Sequence, residues 1–91
     1  MKTNKPVIRP VDEAGDCRTG TLSGISVAEI TDLLGFGPNV KDDPSKVKHS
    51  WGFTVDGERC GVWDYKGSEE YRSFSTFGSP EALAKVFGSR V

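Results

Sequence analysis

Arg59, Trp63 and Tyr65 are the residues of this chain best suited to hold another molecule, and their spacing is even. Residues two apart on a strand share a face, so one strand carrying all three would present them together. An aromatic face stacks on a nucleobase for about 1–3 kcal/mol. An arginine grips phosphate through two parallel hydrogen bonds. Lys66 and Arg72 lie close by in sequence, and Ser73, Ser75 and Thr76 offer hydroxyls. The candidate ligand-binding set is therefore Arg59, Trp63, Tyr65, Lys66, Arg72, Ser75 and Thr76, around two glycines, Gly52 and Gly61. Such a set suits a small nucleotide or a short peptide.

Catalytic chemistry has less to draw on. His49 is the single histidine. A His–Asp pair with Asp64 could orient a general base, but near the start of a strand it reads rather as a cross-strand polar pair. Ser50 or Ser73 would have to serve as nucleophile, and no G-x-S-x-G elbow is present. There is no phosphate-binding P-loop and no dinucleotide fingerprint. Cys17 and Cys60 match no metal-ligand spacing and are expected as free thiols. Asp42 and Asp43 could touch a hard cation, yet calcium wants six to eight oxygens, so Asp42-Asp43-Pro44-Ser45 reads as a solvated turn. No catalytic residue, cofactor or metal is assigned.

The element that positions the candidate set is a β-hairpin from His49 to Lys66. Two alternating runs flank Asp56-Gly57, the pair wanted by a type I′ turn, whose central residues both need φ > 0. The register follows from the turn: Val55 opposite Glu58, Thr54 opposite Arg59, Phe53 opposite Cys60, Gly52 opposite Gly61, Trp51 opposite Val62 and Ser50 opposite Trp63. Trp51, Phe53, Val55, Cys60 and Val62 then share the core face. Ser50, Thr54, Arg59, Trp63 and Tyr65 share the other face, around the glycines. Facing glycines leave bare backbone in mid-sheet. That is either a shallow floor for a flat ligand or a place where a helix or the N-terminal segment packs.

Around the hairpin the remaining elements can be read in order. Residues 1–18 hold Pro6 and Pro10 and few large apolar residues. They are expected as a flexible arm with at most one short edge strand. Residues 19–91 form one small domain. Thr19 to Gly24 reads as a short strand. Ser26 to Glu29 is a capping box that opens a helix over about Val27 to Leu34, with Val27, Ile30, Leu33 and Leu34 as its apolar stripe and Gly35 at its end. Tyr71 to Phe77 reads as a strand after a loop at Gly67–Glu70. Ser79-Pro80-Glu81 starts a second helix with Leu83, Val86 and Phe87 inward and Gly88 as its stop. The expected fold class is α+β: an antiparallel three- to four-stranded sheet in β-α-β-β-β-α order, with two short helices on one face.

Composition narrows the partners. The 91 residues are 35% hydrophobic, so the core is thin, and dimerisation would help it. Twelve basic residues against thirteen acidic leave a net charge of −1. That argues against a protein that tracks long nucleic acid, which needs a basic stripe. No stretch nears the roughly 20 apolar residues that span a bilayer. No apolar run follows Met1, so no secretory signal is expected. A cytoplasmic, homo-oligomeric protein is expected.

One pattern carries a resemblance. Leu22-Ser23-Gly24, Phe36-Gly37-Pro38, Lys46 to Phe53, Asp56-Gly57 and Trp63-Asp64-Tyr65-Lys66 together resemble a group of small bacteriophage proteins, over about Thr19 to Gly78. The chain departs from that group at its last strand, where Phe74 to Gly78 stands in place of a Trp-His-x-Gly-Gly type ending. The resemblance implies a counter-defence protein of the host cytoplasm. It would be a sponge that sequesters a nucleotide immune signal of the CBASS or Thoeris kind without cleaving it. The alternative is a protein–protein inhibitor of a host defence factor, as anti-CRISPRs are, working through the exposed hairpin.

Overall fold

The computed structural model describes residues 6–13, 17–41, 45, 47–65 and 67–91. Lys66, most of the 42–45 turn and residues 1–5 and 14–16 lie outside them. The hairpin is the centre of the sheet. Strands β3 (Ser50–Val55) and β4 (Glu58–Trp63) pair in the register expected from the turn, at every one of the six positions. Asp56 and Gly57 take φ of 50° and 86°, the left-handed pair a type I′ turn demands.

The other strands build outward on both sides. Strand β1 (Ile8–Pro10) lies antiparallel against β3, and β5 (Ser73–Phe77) against β4. Strand β2 (Gly20–Ser23) closes the far side against β5. The order is β1-β3-β4-β5-β2. The α+β arrangement and the β-α-β-β-β-α order hold from β2 onward. The sheet gains a fifth strand because Ile8 to Pro10 pair with the β3 edge, where Val11 donates to the Gly52 carbonyl at 2.9 Å. Gly67 to Glu70, expected as plain loop, includes part of a 3₁₀ turn at Ser68–Tyr71, so β5 starts two residues later than the sequence pattern suggested.

Both helices cover one face. Helix α1 (Val27–Leu34) begins with the capping box: Ser26 Oγ accepts from Glu29 N at 3.2 Å, and Glu29 Oε1 accepts from Ser26 N at 3.3 Å. Gly35, at φ 89°, ends it. Helix α2 (Pro80–Phe87) starts with the Ser79 hydroxyl accepting from Ala82 N and stops at Gly88. Ile30, Leu34, Ala82, Leu83 and Phe87 pack with Leu22, Trp51, Phe53, Val55, Cys60, Val62 and Phe74 into one core. Phe87 meets Phe53 edge to face, and Trp51 meets Phe74 the same way. Leu33, assigned to the α1 stripe, is instead 41% exposed. It borders a groove of about 380 Å³ with Pro6, Ile8, Asp32, Lys85 and Val86.

Candidate functional site

The sheet face away from the helices carries the alternate residues of every strand. Arg59, Gly61 and Trp63 line up along β4. Across from them stand Thr54, Gly52 and Ser50 on β3. On the other side Phe77 faces Gly61 and Ser75 faces Trp63. Beyond β5, Thr21 faces Ser75 and Ser23 faces Ser73. One row across the sheet therefore reads Ser50, Trp63, Ser75, Thr21. Trp63 and Ser75 are half-buried and Thr21 is exposed. Trp63 can offer a ring edge or face, flanked by a hydroxyl in reach on the β2 side.

The glycine floor is closed at Gly52. A Cβ on Gly52 would lie 2.1 Å from the Glu13 carbonyl oxygen and 2.6 Å from that of Val11. The Asn39 side chain sits there too. It accepts from Gly52 N at 3.1 Å and donates to the Gly52 and Val11 carbonyls at 3.0 and 2.7 Å. Of the two readings of the glycine pair, packing by the N-terminal segment holds at Gly52. Gly61 is buried as well. Arg59 leans toward this cover, its Nη2 3.4 Å from Glu13 Oε2, and remains 47% exposed.

The other candidates divide. Tyr65 follows β4 and is 47% exposed. Arg72 leaves the group: it binds Glu29 at 2.7 Å and the Gly24 carbonyl at 3.2 Å, beside the start of α1. Thr76 alternates with Ser75 and so turns into the core, fully buried between Val62 and Gly20, its hydroxyl without a partner among the described residues. Lys66 lies outside the described residues. Phe77 and Thr21, outside the expected set, join the face. The signal was available, because Ser73, Ser75 and Phe77 share one parity and Thr76 the other.

His49 and Asp64 lie on the opposite, helix-covered side. His49 Nδ1 is 2.5 Å from Asp64 Oδ2, and the imidazole stacks on Trp51. Asp64 is buried, and its Oδ1 also accepts from the backbone N–H of Lys48 and His49 at 2.8 and 2.9 Å. This carboxylate closes the open end of the hairpin. A carboxylate-held imidazole can take a proton at Nε2, but Ser50 and Ser73, the hydroxyls weighed as nucleophiles, both face the other side of the sheet. Cys60 is buried in the core. Burial, with Glu58 nearby, pushes its thiol up to about 11 and keeps it protonated at neutral pH. Among the described residues no cluster of ligating side chains could hold a metal ion, and no helix is long and apolar enough to cross a membrane.

Compared with protein-family models, with curated proteins and with solved structures, the chain matches none.

Proposed function

We propose that this chain is a non-enzymatic binding protein that holds a small nucleotide-type ligand on the helix-free face of its sheet and sequesters it intact. The observation that carries the reading is the position of Trp63. It ends β4 on a face that neither helix covers, between the buried Ser50 and the half-buried Ser75, with Thr21 one strand further and Arg59 along the same strand. Four steps along the strand separate Arg59 from Trp63, about 13 Å at 3.3 Å each. A base stacked on Trp63 leaves its sugar near the Ser75 and Thr21 hydroxyls and a phosphate within the sweep of the Arg59 side chain. Together with the resemblance to small phage proteins, this describes a counter-defence sponge of the host cytoplasm.

The test is to incubate the protein with cyclic oligonucleotides and ADP-ribose-type signals. The melting temperature is followed, and bound ligand is recovered after denaturation. The expected result is a raised melting temperature and chemically intact ligand. Trp63→Ala should weaken binding about 10- to 100-fold, the loss of one stacked base, and leave the fold in place. Cleaved ligand, or no shift with any of these compounds, overturns the reading.

A second reading, inhibition of a host defence protein, draws on Tyr71 and Tyr65, which are 82% and 47% exposed near the open end of the hairpin. Tyrosines are enriched among interface hot spots. If Tyr71→Ser abolishes capture of one defined host protein while nucleotides shift nothing, this reading replaces the first.

A further inference from the structure

The two edges of the sheet are built differently. In an antiparallel ladder, alternate residues turn both backbone groups toward the partner strand and the rest turn them away. On β1, Val11 N donates to Gly52 O, and Val7 O accepts from Asp56 N, both at 2.9 Å. Residues 7, 9 and 11 therefore face β3, and positions 6, 8 and 10 face outward. Two of those three are Pro6 and Pro10, which have no N–H. Only Ile8 can donate to an added strand. Prolines on an edge are a known guard against pairing with another chain.

On β2, Gly24 N donates to Arg72 O at 2.8 Å. By the same alternation Gly20 and Leu22 face β5, and Thr21 and Ser23 turn their N–H and C=O groups outward. Both residues are exposed. No proline guards them. Thr19 to Ala28 carries no charge in a chain that is 27% charged, so two copies of this edge meet without like-charge repulsion.

We propose that β2 is the edge through which two copies of this chain pair, antiparallel, into one continuous ten-stranded sheet. The register is set by the two outward residues. Centring the two-fold axis on Leu22 places Thr21 opposite Ser23 of the second copy and Ser23 opposite its Thr21. Both become hydrogen-bonded pairs, giving four N–H to O=C bonds, with no outward group of β2 left over. It also sets a threonine hydroxyl against a serine hydroxyl on the helix-free face, a favourable cross-strand pair. The inference shares Thr21 with the proposed ligand face, but it rests on the backbone groups of the edge, and its test reads mass and amide exchange with no ligand present.

Sedimentation of the full chain from about 10 µM to about 1 mM, the range in which small interfaces exchange by mass action, should show the mass rising from monomer to dimer. Amide exchange at Thr21 and Ser23 should slow by at least about tenfold across that range, while Ile8 stays unchanged. Ser23→Lys, which puts a charge on the edge, and Thr21→Pro, which removes an outward donor without touching the β5 ladder, should both hold the protein monomeric. Circular dichroism checks that they fold, and if Thr21→Pro does not, Ser23→Lys decides alone. A monomer at every concentration, a dimer whose Thr21 and Ser23 amides gain no protection, or a folded Ser23→Lys that still dimerises overturns the proposal.

Discussion

Asp64 carries more of this fold than its place at the end of a strand suggests. A fully buried carboxylate is costly unless it is bonded, and here one side chain accepts from two backbone amides and an imidazole. Asp64→Ala strands the two amides without an acceptor. Urea unfolding should register a loss of about 3 kcal/mol, well above that of His49→Ala. Gly52 makes a separate prediction. Its Cα supports two carbonyls at distances no Cβ tolerates, so Gly52→Ala must lift residues 11–13 and should cost about 1–3 kcal/mol. Gly37→Ala, with open space around it, should stay within about 0.5 kcal/mol of the parent in the same titration. The sequence marked Gly52 as a place of close approach, but it did not disclose the occupant. Nothing in the pattern of residues 11–13 announces that their carbonyls fold back over a strand some forty residues later.

At the scale of elements, local chemistry decided the outcome wherever it was strong. The Asp56-Gly57 turn set six cross-strand pairs, and Ser26, Glu29 and Gly35 bounded α1 to the residue. Where pairing is non-local, the sequence is silent. No periodicity relates β5 to β4, and nearness in the chain sets Ser75 beside Thr76 although adjacent strand residues point to opposite faces. Arg72 was likewise drawn toward Trp63 by proximity in the chain and toward Glu29 by the fold. The capping box offers a direct check. Ser26→Ala removes the acceptor for Glu29 N, and chemical denaturation should show a cost of about 1 kcal/mol. Ser26→Asp, which keeps an acceptor at the helix start, should restore most of it.

At the scale of the molecule, two carboxylates tie distant parts together and make the fold sensitive to acid. Asp56 accepts from Val7 N at 2.8 Å and from Lys85 at 3.1 Å, and these bonds hold its carboxyl below the ordinary 3.8. Glu29 is pushed up by partial burial, but Arg90, the Ser26 bonds and Arg72 outweigh that and hold it below the ordinary 4.5. Both groups are depressed in the folded state, so their stabilisation is complete above the ordinary values and drains away as pH falls through the folded ones. Thermal melts should be level from neutral pH down to about 5 and then drop. Asp56→Asn combined with Glu29→Gln should flatten that fall.

The pairing of β1 with β3 also bears on how the chain is made. Forty-nine residues separate Val7 from the Asp56 carboxylate that receives its amide. At roughly 5–20 residues per second, a ribosome needs about 2–10 s to deliver that partner. Throughout this interval the nascent Ile8 segment has no neighbour to dock on. The prolines at 6 and 10 blunt one side of that orphaned strand throughout, whereas the side carrying the Val7, Arg9 and Val11 amides stays open to a wrong chain until the hairpin emerges.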